Sequence, residues 1–390
     1  MKKLIILLII SLLPACKASN KPSVSKDLLN TDKFIFEYGS LIKLEDVFTN
    51  KNVKFEDKYL DTSFIGEKTV SIEFEQNDQL FKEKYTYTVK DNTEPLIWLA
   101  STYTITEGDE EDLANKIICA DNHDRTPKCY IEGSYDVNTP GSYKLKYIAE
   151  DEYNNKETVE FTLHVKKKTT SNNSKLPATK IRTDLNDVIA KYKTEDTMIG
   201  IDVSKYQGDI DWKKVKNAGV EFAMIRLGTQ WYFGEDYIID PYYEKNIKGA
   251  LENNVEVGIY FYSYATNAKE GRKQARYVLE NIKDYDVTLP IAFDWESYNL
   301  WNELEISLFD LQSAANAFHD EIKTAGYTPI HYGSKNYLNA FWEPIKYDTW
   351  LAHYTNKQTD YDKDYTMWQL CNNGLVDGIK GDVDINVYYK

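Results

Sequence analysis

The sequence predicts a multidomain chain in which two small all-β sandwiches precede an irregular α/β barrel built of β/α units. Three observations support this. Residues 32 to 165 are written as short strands of alternating apolar and polar residues separated by turn residues. From residue 197 onward, strand patterns alternate with helix patterns, which implies a parallel sheet with crossover helices. Between them, Lys166 to Lys175 is polar and almost free of apolar side chains, as a linker is. At 390 residues and 42% hydrophobic content, the chain has the length for two or three domains and the material for real cores.

The chain opens with a targeting segment, residues 1–16. Lys2 and Lys3 form a positive start, Leu4 to Leu13 an apolar run broken only by Ser11, and Leu13-Pro14-Ala15-Cys16 its end. The run is too short for a comfortable transmembrane helix. Leu-x-Ala-Cys resembles a bacterial lipobox, which implies lipidation of Cys16, a tether over residues 17–31 and a membrane anchor facing the cell wall. The other reading is an ordinary signal peptide cut near Ala15 and a secreted product.

Two immunoglobulin-like (Ig-like) β-sandwich modules are expected at 32–92 and 93–166, with the junction near Asn92-Thr93-Glu94-Pro95. A weak internal repeat supports the pair. Leu60 to Phe74, closing on Tyr87 to Asp91, is matched by Tyr135 to Tyr147, closing on Phe161 to Val165. In each copy an Asp/Thr turn and a glycine precede a period-2 strand, as in a hairpin of a small sandwich. Cys119 and Cys129 flank a polar loop, and in an exported protein that spacing suggests a disulfide rather than a metal site. Cys371 is then left over, as a buried small hydrophobe.

After a linker at 167–196, which holds a short helix over Asp184 to Lys193, the barrel is expected at 197–390. Strands are predicted to begin near Met198, Val220, Val255, Leu289, Thr328, Thr349, Tyr365 and Val383. Helices are predicted over Asp211–Ala218, Pro241–Asn253, Ala268–Ile282, Ser307–Thr324 and, more weakly patterned, Tyr337–Ile345.

The fourth strand candidate ends in two acids spaced i, i+2, in Leu289-Pro290-Ile291-Ala292-Phe293-Asp294-Trp295-Glu296. That spacing puts both carboxylates on one face and turns Trp295 the other way, into packing. A carboxylate pair at the mouth of a barrel strand suits glycosidic bond cleavage, which needs a protonated donor for the leaving oxygen and a second acid beside the anomeric carbon. Alone, Asp-x-Glu is a weak signal. It is joined by Gly200-Ile201-Asp202-Val203-Ser204-Lys205-Tyr206-Gln207-Gly208, Ile210-Asp211-Trp212, Gly258-Ile259-Tyr260-Phe261-Tyr262, Trp368-Gln369 and the closing stretch Val376 to Asn386.

In that order and at those separations, residues from about 198 to 390, half of the chain, resemble glycoside hydrolase family 25, the Chalaropsis-type lysozymes or peptidoglycan muramidases. The resemblance implies a barrel fold and an active centre of Asp202, Asp294, Glu296 and Asp384. Within it, Glu296 matches the acid, whose pKa a neighbouring Asp and aromatic walls would raise. Asp294 would assist the substrate N-acetyl group, a substrate-assisted exception to the two-carboxylate scheme; direct displacement by water, with Asp294 or Asp202 as base, is the rival. Asp202 and Asp384 could instead cap turns or pair with a cation such as Arg226. Tyr260, Tyr262, Tyr332 and Trp368 are the expected sugar-stacking residues, Tyr260 first because it matches the family's Gly-x-Tyr strand. Lys205-Tyr206 stands where many relatives carry His-Trp, and Arg226-Leu227-Gly228-Thr229 replaces a common Thr-Glu-Gly.

A formal net charge of −15 argues against nucleic-acid partners. His-Glu-x-x-His, Gly-x-Ser-x-Gly and Walker signatures do not occur, and no cofactor or metal is expected. The expected product is a monomeric lysozyme acting on peptidoglycan, with the modules as spacers. The alternatives are a catalytically silent wall-binding or adhesive protein, and a partner-binding stalk.

Overall fold

The computed structural model describes residues 33–48, 52–55, 58–109, 112–168, 182–231, 236–342 and 345–390. Cys16 and the tether lie outside the described residues. The chain divides after Asn92 into two compact units.

The first unit is built on the hairpin Gly66–Gln76 and Gln79–Lys90, paired without a slip from Gly66↔Val89 to Gln76↔Gln79. Its turn residues, Asn77 and Asp78, both have positive φ, 52° and 61°. Two successive left-handed residues give the turn whose twist matches that of the strands, and Asn and Asp tolerate it. Ile35–Glu37 and Lys54–Phe55 flank the hairpin, and a ribbon of Ile42–Lys43 with Tyr59–Leu60 completes the unit. Phe74, Tyr85, Tyr87 and Val89, alternating inward, form its core.

The second unit begins with the same plan. A four-stranded sheet (Lys128–Glu132, Gly141–Glu150, Lys156–Lys166 and Thr102–Thr106) is accompanied by the ribbon Leu96–Trp98 with Ile118–Ala120. The Cys119–Cys129 disulfide staples ribbon to sheet.

The barrel follows in the same unit. Its strands are β1 (Thr197–Val203), β2 (Phe222–Gln230), β3 (Glu256–Tyr262), β4 (Ile291–Asp294), β5 (Pro329–Ser334), β6 (Asp348–Ala352), β7 (Met367–Leu375) and β8 (Val383–Tyr389). Strands β1 to β7 run parallel, whereas β8 is antiparallel to both β7 and β1 and so closes the ring. The departure from all-parallel staves has a local cause: only residues 376–382 join β7 to β8, too few for a crossover. A further short strand, Tyr237–Ile239, folds back on β2 and was not predicted.

The helices are α1 (Leu185–Tyr192), α2 (Trp212–Asn217), α3 (Tyr243–Glu252), α4 (Ala268–Ile282), α5 (Trp301–Leu304), α6 (Leu308–Thr324) and α7 (Lys335–Phe341). Side chains of Asp184, Asp211, Asn267 and Ser307 cap the starts of α1, α2, α4 and α6. Helices α4 and α6 meet at Gly271, where a Cβ would run into the Ala314 carbonyl. Every residue of β1 is buried, because one face fills the barrel with Met198, Phe222, Met224 and Ile330 while the other packs under the helices.

Two expectations are corrected. The stretch taken as the end of the linker belongs to the barrel: Thr183–Asp184 pairs with β7, and Leu185 and Val188 of α1 enter the core. The second module is not a free spacer either. Its ribbon residues Ile118 and Ala120 are buried in the barrel's outer core, and Trp98 packs on Tyr337 and Phe341 of α7.

Candidate active site

The C-terminal ends of the parallel strands open into a cavity of about 480 Å³, within the usual range for small-ligand sites. All four predicted acids line it: Asp202, Asp294, Glu296 and Asp384. Topology accounts for their meeting. Asp202 and Asp384 are direct cross-strand partners on β1 and β8, while Asp294 ends β4 and Glu296 lies two residues on.

Asp202 is buried, and its Oδ2 accepts from Gln369 Nε2 and Asn386 Nδ2, both at 2.8 Å. Gln369 Nε2 also reaches Asp384 at 3.4 Å, and its Oε1 accepts from the Tyr332 and Tyr354 hydroxyls at 3.0 Å each. One amide thus fixes two acids and two tyrosines. Burial raises the Asp202 pKa, against the pull of the Gln369 and Asn386 hydrogen bonds. Asp384 is pushed up to about 9, first by burial and then by the charge of Asp202 and a hydrogen bond to it. Both acids of this pair are thus held above the usual carboxylate range.

The other pair is less provided for. Asp294 is buried with Oδ1 lacking a hydrogen-bond partner among the described residues. Burial raises its pKa well above the usual range, and the charge and hydrogen bond of Glu296 push it further. Glu296 is open to the groove yet closely surrounded, and desolvation raises its pKa as well. Of the neighbouring acids, Asp294 lowers the Glu296 pKa through a hydrogen bond, and the charge of Asp202 raises it. The two carboxyls interact strongly enough to titrate as a unit.

Arg226 does not neutralise the acids by direct pairing. Its Nε and Nη2 hold Asp240 Oδ2 at 2.8 and 2.6 Å, and Asp240 is buried. The guanidinium lies 5.2 Å from the Tyr206 ring centre, so the residues that depart from the common pattern together form one wall of the groove.

Of the predicted aromatics, Tyr260, Tyr262 and Tyr332 line the cavity. Trp368 does not. It is fully buried on the outer side of β7, edge-on to Tyr192, with its Nε1 donating to the His353 carbonyl. Strand alternation requires this once Gln369 faces inward. Trp295 likewise points outward, against Tyr298 and Trp301. Trp350, Tyr354 and Gln369 are cavity residues that were not singled out as such. Only Gln369 had a signal, through its motif.

A closed β/α barrel with two carboxylate pairs and tyrosine walls at its mouth has the make-up of a glycan-cleaving hydrolase. The model of glycosyl hydrolases family 25 matches residues 201–379, and that of the bacterial surface protein Ig-like domain matches residues 100–165. The uncharacterized protein YegX of Escherichia coli K12 is 31% identical over 201 residues, covering 49% of this chain and 70% of that one. Lysozyme M1 of Streptomyces globisporus is 30% identical over 208 residues, covering 48% and 67%. The modular autolysin LytC of Streptococcus pneumoniae aligns in structure with a TM-score of 0.44 and 23% identity over 63% of this chain, which spans 56% of that protein. The chain belongs to glycosyl hydrolase family 25 and is a glycoside hydrolase with an Ig-like domain upstream.

Proposed function

We propose that the protein is an exported N-acetylmuramidase that cleaves the β-1,4 bond between N-acetylmuramic acid and N-acetylglucosamine in peptidoglycan. The observation that carries this is the meeting of Asp294 and Glu296 with Asp202, Asp384 and the tyrosines in one cavity at the barrel mouth, where burial raises the pKa of both acids. Kinship with lysozyme M1 and with the autolytic lysozyme of Clostridium acetobutylicum supports the substrate.

In this reading Glu296 gives its proton to the leaving glycosidic oxygen. The carbonyl oxygen of the substrate's N-acetyl group attacks the anomeric carbon as the bond to the leaving sugar breaks, and Asp294 takes up the charge that grows on the acetamido N–H. Glu296, now a carboxylate, removes a proton from the water that opens the cyclic intermediate, restoring the acetamido group with retention. Tyr260, Tyr262 and Tyr332 offer faces and hydroxyls to the sugars. We place Cys16 as the lipid-bearing mature end, holding the enzyme at the membrane under the wall.

Digestion of purified peptidoglycan by the full chain and by Glu296→Gln, with mass spectrometry of the new reducing ends, tests the reading. Muramic acid ends made by the wild type and absent from the variant are expected. N-acetylglucosamine ends would change the bond, and binding without cleavage would overturn the proposal.

A further inference from the structure

The segment after β4 carries Glu296 and then runs through α5 to the start of α6, and the Ig-like module grips it directly at two places and, through α7, at a third. Asn302 of α5 donates through Nδ2 to the carbonyls of Asn115 and Ile117 at 3.0 and 3.1 Å, and its Oδ1 accepts from the Cys119 N–H at 3.4 Å. At the start of α6, the Asp121 and Asn122 carbonyls accept from the N–H groups of Leu308 and Phe309 at 2.7 and 3.3 Å. Those N–H groups have no partner within their own helix. Beside them Arg125 makes a two-pronged bond to Asp310, at 2.7 and 3.0 Å. The third contact is aromatic: Trp98 lies 5.3 Å from Tyr337, which stacks at 3.6 Å and 3° on Tyr298, two residues past Glu296.

Asp121, Asn122 and Arg125 all lie inside the loop that the Cys119–Cys129 disulfide closes. Between the grips, Glu305 sits in the left-handed region at φ 48°. A non-glycine residue keeps that conformation where its surroundings over-determine it. The gripped segment is the one that bears the proposed acid.

We propose that the Ig-like module of the second unit is a positioning element for Glu296, acting through Asn302 as a positioning residue. This rests on the reading of Glu296 as the acid. The module thereby becomes part of the active-site scaffold, and the disulfide loop its gripping surface.

The test uses the full chain with Asn302→Ala, Arg125→Ala and, as a control on a face of the module away from the grip, Lys146→Ala. For the first two, kcat on soluble wall fragments should fall roughly 10-fold to 100-fold with KM unchanged, the scale expected for a misplaced catalytic group. Amide exchange over residues 295–304 should quicken in both, while the rest of the barrel keeps its protection and the control behaves as wild type. Unchanged kcat in both grip variants, or unchanged exchange over 295–304, overturns the proposal. If Asn302→Ala does not fold, Arg125→Ala decides alone. If the wild type cleaves no wall glycan, the functional reading fails separately, and exchange over 295–304 still decides whether the module holds that segment.

Discussion

The two carboxylate pairs on the cavity floor are made of the same chemistry and treated in opposite ways. Asp202 and Asp384 face each other across β1 and β8, and the amides of Gln369 and Asn386 donate into the pair. Asp294 and Glu296 share one strand end, and Asp294 keeps a buried oxygen with no partner among the described residues. A satisfied buried acid is held in place, whereas an unsatisfied one gains when a substrate N–H arrives. We therefore propose the first pair as scaffold and the second as the reactive one.

The largest expected effect comes from the reactive pair. Glu296→Gln keeps the shape and removes the transferable proton, so kcat should fall by about 10²–10⁴-fold with little change in melting temperature, measured on soluble wall fragments and by calorimetry. Gln369→Leu strikes the scaffold. It leaves the Tyr332 and Tyr354 hydroxyls without their acceptor and Asp202 short of a donor, at about 1–3 kcal/mol for a buried group left unsatisfied. At about 2–4 °C per kcal/mol for a domain of this size, the loss should be plain in thermal unfolding. A Gln369→Leu protein as stable as wild type would erase the contrast between the pairs.

Asp384→Asn sharpens the contrast through pH. The Asp384 carboxyl titrates at about 9 when folded against 3.8 ordinarily, so the folded state binds its proton the more tightly between those values. The wild type therefore loses stability from this group as pH rises from about 4 to about 9. Asparagine has no proton to lose, so the variant's melting temperature should exceed wild type at pH 8 and converge with it near pH 4. The smallest effect is expected outside the cavity: Trp368→Phe gives up the bond to the His353 carbonyl, worth about 0.5–1.5 kcal/mol, and leaves kcat unchanged.

Much of the barrel was legible because its strands are buried on both faces, and a run such as Ile291-Ala292-Phe293, which periodicity alone leaves open, is set as a strand by its shortness and the flanking Pro290. Helix α4 was predicted with its observed limits, Ala268–Ile282, since a capping Asn and a clear 3.6 period mark it. Trp368 was misplaced because aromatic character was weighed above parity: the alternation that turned Trp295 outward turns Trp368 outward too, and leaves Gln369 at the acids. Asn386 stood two residues from Asp384 and was open to the same reasoning. The grip of the Ig-like module was illegible for a different reason. It is made largely by main-chain carbonyls of residues 115, 117, 121 and 122, which every sequence has and none advertises.

The strand that closes the barrel has a consequence in time. Asn386 reaches back 184 positions along the chain to hold Asp202. A ribosome working N- to C-terminally releases the first acid long before its partners exist, and contacts of such separation form late. The cavity is therefore finished only when residues 383–389 have been made and inserted. A hydrolase assembled in this order stays unarmed while it is being synthesised, and a nascent chain cut short before Val383 would carry Asp294 and Glu296 with no completed floor beneath them.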